Sequence, residues 1–248
     1  SNNAEILNQK NTERREHDKA TTDEALAMLE NFPEQQAKKS TVLYQPHWHK
    51  GVIGIVASRL MDSFYRPTII LTNSNGHVAG SARSVHGFNI YEAIKECSAL
   101  LDQYGGHFFA AGLTMQEENV EAFVKKFEEV VSSTISKDSL TPEILIDAEV
   151  ELEDLTPKFY SIVNQFAPFG PDNMKPVFMT KNVSDSGFSR IVGETHLKIA
   201  VKKKNSSIIN GIAFGMAEKI NLMNTKKEFD ICYTLEENEW NEIGRAHV

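Results

Sequence analysis

The chain has 248 residues, of which 26 are Lys or Arg and 34 are Asp or Glu, so its net charge is -8. This length allows one large or two medium domains, and the negative charge excludes a protein that coats polyanions with its whole surface. Cys97 and Cys232 lie far apart without a CxxC spacing, which excludes a disulfide framework and fits the cytoplasm, and no apolar run is long enough to span a membrane.

Charge is distributed unevenly along the chain. The segment from Gln116 to Leu155 contains twelve acidic and three basic residues. The segment from Phe188 to Lys204 contains five Lys or Arg and one acidic residue. Any contact with nucleic acid should therefore be made by a local groove or patch.

The N-terminal part of the chain predicts a long polar helix. Ser1-Asn2-Asn3-Ala4 looks partly like the remnant of an expression tag, and residues 5 to about 31 are good helix formers with few apolar positions. Such a helix usually connects two domains, and Pro33 disfavours its continuation. We predict an interdomain linker helix in residues 1–33, with its N-terminal domain partner missing from the sequence.

Strands and helices alternate in the next segment, which predicts an α/β domain over residues 34–138. The strongest helix signal is the apolar run at 51–61, which should be buried against a sheet. The other expected elements are strands at 41–44, 67–72 and 77–84 and helices at 90–101 and 116–135.

Two places in this domain are candidate anion sites. His47 and His49 precede the helix predicted at 51–61, where the helix dipole favours negative charge, unless they merely pack the loop. Ser81 and Arg83 are two residues apart on a predicted strand and so share a face. A hydroxyl and a guanidinium can clamp a phosphate; the alternative is an ordinary surface arginine.

The third candidate is the segment that contains Gly105, Gly106 and His107. Adjacent glycines can adopt left-handed conformations, which would let backbone N–H groups and an imidazole converge on one anion. The alternative is a helix C-cap followed by a strand of small core residues. A zinc site from His47, His49 and His107 lacks a Cys, Asp or Glu at ligand spacing, so no metal is expected in this chain.

After a linker at 136–142, short strands separated by turns predict a small β-barrel over residues 139–240, for which the OB fold is a candidate. Strands are expected at 144–150, 176–189, 195–203, 207–214 and 229–236, with a helix over 155–166. The barrel has a basic edge, which either lines a binding groove or is a solvated turn. This edge consists of Arg190, His196, Lys198 and Lys202 to Lys204.

Taken in order, these segments resemble the RecJ family of single-strand-specific 5′ to 3′ exonucleases, within the DHH phosphoesterase superfamily. The resemblance covers roughly residues 5–238, and 241–248 read as an atypical tail, a truncation or a vector remnant. The matching runs are residues 47–60, 66–67, 80–84 (Gly-Ser-Ala-Arg-Ser), 87–89, 105–112 (Gly-Gly-His-Phe-Phe-Ala-Ala-Gly), 166–173, 176–178 and 192–198.

The resemblance implies a DHH-associated α/β domain followed by an OB-fold-like barrel. By resemblance, Gly105, Gly106 and His107 would bind the scissile or adjacent phosphate, and His107 is the one candidate for catalysis. Ser81 and Arg83 would hold the next nucleotides. The further candidates for contact with nucleic acid are His49, Arg190, His196 and Lys198.

The Asp-His-His sequence and the carboxylates that hold the superfamily's catalytic metals are absent, and His17-Asp18 does not replace them. Metal-assisted phosphodiester cleavage needs such ligands. The resemblance therefore implies that Mn²⁺ or Mg²⁺ is bound by a missing DHH domain and that this chain alone is inactive. The implied partners are single-stranded DNA, that domain in cis, a single-strand-binding protein and a helicase, in DNA repair and recombination.

Three alternatives remain open at this point. The oligoribonuclease and nucleotide-phosphatase branch shares the Gly-Gly-His block, but the added barrel argues against it. A non-catalytic nucleic-acid-binding module would need no neighbouring domain, whereas the long polar helix suggests one. A tRNA-synthetase-type editing appendage carries a related glycine-rich block, but the Ser81 to Ser84 strand argues against it.

Overall fold

A computed structural model describes residues 2–31, 34, 37–170, 172–204, 206–223, 225, 227–237 and 245–247, with only the backbone for 2–4 and 245–247. The chain divides into two compact units, Ser1–Glu143 and Ile144–Val248. Within the described ranges, no helix is long and apolar enough to cross a membrane. The predicted helix end at Phe32 and Pro33 lies outside the described residues.

The first unit is an α/β fold around one mixed sheet. Its strands follow the order β1-β2-β3-β5-β4, in which β1 and β2 are parallel and the other pairs are antiparallel. The elements are α1 (Asn2–Glu30), β1 (Thr41–Tyr44), α2 (Ile53–Phe64), β2 (Thr68–Ser74), β3 (His77–Arg83), α3 (Ile90–Lys95), β4 (Gln103–His107), β5 (Ala110–Met115) and α4 (Val120–Thr134).

The two faces of this sheet are covered to different extents. On one face, Ala82 and Leu113 of the sheet pack with Phe123 and Phe127 of the amphipathic helix α4. On the other face, Leu43 and Ile70 of β1 and β2 pack under α1 and α2. The strands β5 and β4 extend beyond that second layer, and every residue of β4 is exposed.

Helix α1 is less solvated than its composition predicts. Ala25 and Leu29 are fully buried in the cluster formed with α2. Asp18 is also buried, and its carboxylate lies 2.8 Å from the guanidinium of Arg59 in α2. The C-terminal part of the helix is therefore a component of the first unit, because its few apolar residues are concentrated there.

The region before the Gly-Gly-His block differs from the sequence prediction. The helix expected at 90–101 ends at Lys95 and is followed by a 3₁₀ turn, Ser98–Leu100. Gly105 and Gly106 then lie inside strand β4 and not at a helix C-cap, and of the two only Gly106 has a positive φ. Pairing with β5 satisfies the backbone hydrogen bonds of this glycine-rich segment, which outweighs its low strand propensity.

The second unit is a closed barrel. Its strands follow the order β6-β7-β11-β12-β10-β9-β8, and an additional β7–β9 pairing closes the ring. Its elements are β6 (Ala148–Glu149), α5 (Pro157–Asn164), β7 (Phe178–Asp185), β8 (Arg190–Val192), β9 (His196–Lys202), β10 (Ile209–Ala213), α6 (Ile220–Met223), β11 (Phe229–Glu236) and β12 (Arg245–His247).

Two predictions at the ends of the barrel were wrong in detail. The strand expected at 144–150 is reduced to Ala148–Glu149. In the segment expected to be an atypical tail, Arg245–His247 forms a strand that pairs with β10 and β11; residues 241–244 and 248 lie outside the described residues. The barrel core is formed by Phe178, Val183, Leu197, Ile199, Val201, Ile231 and Tyr233.

Candidate nucleic-acid interface

The uncovered part of the first sheet carries most of the predicted site residues in two cross-strand rows. Ser81 of β3 lies opposite Gly112 of β5, which lies opposite Gly105 of β4. In the next row Arg83 lies opposite Ala110, which lies opposite His107. Directly opposed residues in antiparallel strands share a face, as do residues two apart. Ser81, Arg83, Gly105 and His107 therefore belong to the same face.

A groove runs over this face. Its volume is roughly 640 Å³, and its lining includes Ser81, Gly105, Gly112 and Thr114. The central strand contributes only Ala110, Gly112 and Thr114 to this face, so the floor of the groove is formed by short side chains. An extended ligand can approach the backbone closely where glycine lies in a strand.

Arg83 lies beside this groove and is hydrogen-bonded to Ser81, which lines it. Its Nη1 atom donates to the Ser81 hydroxyl at 3.1 Å and to the Ala82 carbonyl oxygen at 2.8 Å. A Cβ atom added to Gly54, in the first turn of α2, would lie only 3.0 Å from the Arg83 guanidinium. Gly54 therefore leaves the space in which the guanidinium lies, and Arg83 and Ser81 form one hydrogen-bonded unit beside the start of α2.

The N-terminus of α2 adds backbone donors to the same place. No side chain caps this helix at Val52, and Gly51, Ile53 and Gly54 line the groove together with Lys50. The first N–H groups of a helix lack intrahelical partners and carry a partial positive charge. Among the described residues that line the groove, none is Asp or Glu. The groove thus has the electrostatics of an anion site.

His107 lies at the exposed end of β4. Its Nδ1 atom accepts a hydrogen bond from the Phe109 backbone N–H at 3.3 Å, which leaves the proton of the neutral ring on Nε2. Gly106 has a φ of 153°, and a Cβ atom there would lie 2.3 Å from the Ala110 carbonyl oxygen. Gly106 is thus required by the tight β4–β5 turn, whereas Gly105 has open space around it and lines the groove.

The histidines before α2 have different environments. The Nε2 atom of His47 lies 3.0 Å from Glu24 of α1, which also accepts a hydrogen bond from the Trp48 indole at 2.8 Å. The Trp48 hydrogen bond is the main reason why the pKa of Glu24 is lowered. His47 thus connects the loop to α1 through Glu24, and its side chain is otherwise largely exposed. His49 is exposed and stacks on His17 of α1, with 5.1 Å between ring centroids.

The barrel carries a second set of candidates on its β8–β9–β10 strip. Arg190 lies opposite Lys198, which lies opposite Ile212, and Val192 lies opposite His196 in the adjoining row. All of these belong to one face of the strip, since they are directly opposed or two residues apart.

Two phenylalanines missed by the sequence analysis accompany these residues. Phe214, 57% exposed, packs edge-on against His196 with 5.2 Å between ring centroids. Phe188, 67% exposed, precedes Arg190 by two residues. The adjacent Lys203 belongs to the predicted basic edge, but its ammonium is paired with Glu151 at 2.5 Å.

Comparison with known proteins identifies a domain in each unit. The DHHA1 domain matches residues 37–133, and the RecJ OB domain matches residues 146–247. The chain thus contains these two domains in this order.

Known RecJ proteins match nearly the whole length of this chain, including both of its units. The single-stranded-DNA-specific exonuclease RecJ of Bacillus subtilis is 33% identical over 240 residues, which are 95% of this chain and 30% of that protein. The RecJ of Escherichia coli is 29% identical over 252 residues, 97% of this chain and 42% of that protein. The chain thus spans less than half the length of these relatives.

Two crystal structures of RecJ from Thermus thermophilus have the same fold. The complex with Mn²⁺ gives a TM-score of 0.78 at 26% identity, covering 98% of this chain and 34% of that one. The complex with Mg²⁺ gives 0.77, covering 98% of this chain and 36% of that one. The predicted combination of a DHH-associated α/β domain and an OB-fold-like barrel is confirmed by these matches.

A metal does not fit the groove of this chain. Within the described part of the chain, no group of three or more His, Cys, Asp or Glu side chains could hold an ion. His47, His49 and His107 are not brought together as ligands, and none of the described residues that line the groove is Asp, Glu, His or Cys.

Proposed function

We propose that this chain is the substrate-binding part of a RecJ-type single-stranded-DNA-specific 5′ to 3′ exonuclease. The observation that carries the proposal is the juxtaposition of Ser81, Arg83 and His107 on one sheet face beside the uncapped start of α2. We call these three residues the phosphate clamp.

The clamp suits a phosphodiester for three reasons. Arg83 offers a planar donor array to phosphate oxygens, and its bond to Ser81 holds the guanidinium in place. The N–H groups of α2 add partial positive charge. His107, with Nδ1 occupied by a backbone donor, can offer Nε2–H to an oxygen of the same group.

The barrel strip would hold the strand at a second place. Arg190 and Lys198 can neutralise phosphates, and exposed rings such as Phe188 and Phe214 can stack on bases without sequence preference. This combination of basic and aromatic side chains supports single strands over duplex, because bases in a duplex are already stacked and paired.

For the whole protein, we propose hydrolysis with Mn²⁺ or Mg²⁺ held by a DHH domain outside this chain. The relatives crystallised with these ions support this assignment. A cytoplasmic role in DNA repair and recombination, with a single-strand-binding protein and a helicase as partners, is the corresponding proposal for the cell.

Binding of single-stranded DNA across a salt series, with duplex DNA as control, tests the proposal. We expect the chain to prefer the single strand and to bind it more weakly as salt rises. Arg83→Ala should cost about 1–3 kcal/mol of binding free energy, as expected for a charged hydrogen bond. Lys125→Ala is the matched control, since Lys125 is exposed on α4, which packs on the opposite face of the sheet.

Equal affinity of wild type and Arg83→Ala would remove the phosphate clamp from the proposal. Equal affinity for duplex and single strand would contradict the assignment of the chain as a single-strand-binding unit.

A further inference from the structure

The groove extends beyond the phosphate clamp. Its lining runs from Ser81 and Gly105 to a third cross-strand row, in which Ala79 lies opposite Thr114 and Thr114 lies opposite Gln103. This row is four residues along β3 from Arg83, which corresponds to about 13 Å at the usual rise of a strand. A single phosphate at the clamp therefore leaves this end of the groove unfilled.

The side chains at this end are polar and available. Lys50, Gln103 and Thr114 supply an ammonium, an amide and a hydroxyl to the groove. Within the described residues, none of these three side chains has a hydrogen-bond or ion-pair partner. Lys50 and Gln103 are exposed and Thr114 is partly buried, so all three groups can exchange water for a ligand.

We propose that Lys50, Gln103 and Thr114 form a second nucleotide subsite, adjacent to the phosphate clamp. Lys50 lies at the start of α2 and supplies a positive charge for the neighbouring phosphate. Gln103 and Thr114 can each donate and accept hydrogen bonds, which suits sugar and base oxygens and nitrogens and requires no particular base. The inference rests on the proposed function, because it assumes that the clamp holds the first phosphate.

The subsite predicts a step in affinity between one and two nucleotides. The probes are 5′-phosphorylated thymidine mono- and dinucleotides, titrated into the full chain and followed by backbone amide NMR shifts. The dinucleotide should bind at least about threefold more tightly than the mononucleotide. Lys50→Ala, Gln103→Ala and Thr114→Val should each reduce dinucleotide affinity about three- to tenfold and leave mononucleotide affinity unchanged.

Arg83→Ala and Lys125→Ala separate this inference from the proposed function. Arg83→Ala should weaken both probes, whereas Lys125→Ala should affect neither. Two results would overturn the second subsite alone, provided that binding depends on Arg83. One is equal affinity for the dinucleotide and the mononucleotide, and the other is a higher dinucleotide affinity that all three subsite variants retain. Loss of mononucleotide affinity in the subsite variants would overturn it as well. Binding of neither probe would overturn both proposals.

Discussion

The groove of the first unit and the strip of the barrel offer two different surfaces to a single strand. Beside the groove, the Arg83 guanidinium is held by Ser81 and a backbone carbonyl, and the floor of the groove is formed by residues as small as Gly112. On the barrel, Phe188 and Phe214 are more than half exposed beside basic residues. The groove is thus suited to fixing one phosphate in space, whereas the strip is suited to tolerant contact with bases.

His107→Ala should show whether the first unit contributes to the reaction itself and not only to binding of the single strand. In a protein that joins this chain to its metal-binding domain, we expect turnover to fall about 100-fold if the imidazole acts on the transition state. Affinity for the single strand should change much less. Loss of affinity with unchanged turnover would make His107 a simple binding group. Phe214→Ala is the control in the barrel, and it should lower affinity for the single strand more than it lowers turnover.

Substitutions of Gly105 and Gly106 should differ in their effects on stability and on DNA binding. Gly106→Ala should lower the free energy of unfolding by about 2–3 kcal/mol, because its Cβ atom would overlap the Ala110 carbonyl oxygen. Gly105→Ala has space for its Cβ atom and should leave stability nearly unchanged while weakening DNA binding, since Gly105 lines the groove. Thermal unfolding and DNA titration of both variants would check this. Equal stabilities would contradict the observed β4–β5 geometry.

Substitutions on the barrel strip and at Arg83 should differ in how they change the salt dependence of single-strand affinity. Phe188→Ala and Phe214→Ala should each cost about 1–2 kcal/mol in single-strand affinity through lost stacking, with an unchanged slope against salt concentration. Arg83→Ala should reduce that slope by about 0.7, because one phosphate contact is lost. If the phenylalanine variants altered the slope or left affinity intact, the strip would not be a stacking surface.

The smallest effect concerns the stability of the first unit. Burial alone would raise the pKa of the half-buried Glu128 carboxyl, but hydrogen bonds from the Ser40 hydroxyl, the Lys39 and Ser40 backbone N–H groups and Ser132 lower it below its ordinary value of 4.5. A lowered pKa in the folded state contributes stability above the unfolded pKa, and this contribution is lost as pH falls through the folded pKa.

Glu128→Gln should therefore reduce the free energy of unfolding by about 1 kcal/mol at pH 7. The difference should shrink as pH falls from the ordinary pKa of 4.5 through the lower pKa of the folded state. Chemical denaturation across this pH range measures it. All of these hydrogen bonds to Glu128 lie in the first unit. Destabilisation of the second unit alone would therefore contradict this prediction.

The sequence predicted the elements with strong periodicity and missed those determined by pairing. The apolar run of α2 and the alternation of strands and helices along the chain identified the first unit, and the face shared by Ser81 and Arg83 followed from strand period alone. Strand β4 was missed because Gly105 and Gly106 have low strand propensity, and its pairing with the distant β5 decides its conformation.

Several groove and strip residues were missed for the same reason. Gln103 shares a face with Gly105 and His107 only once β4 is known to be a strand. Phe214 follows strand β10, and its contact with His196 depends on the β9–β10 register, which no local pattern of the sequence reveals. The pairing of His47 with Glu24 likewise depends on the packing of α1.

Hydrogen–deuterium exchange of the chain, with and without single-stranded DNA, tests the central claim most directly. The account predicts protection in the backbone of β3, β5 and the first turn of α2, and in the β8–β9 hairpin, with no change along α4. Protection confined to α4, or to the barrel while β3 and β5 exchange as before, would contradict the assignment of the groove as the phosphate-binding site.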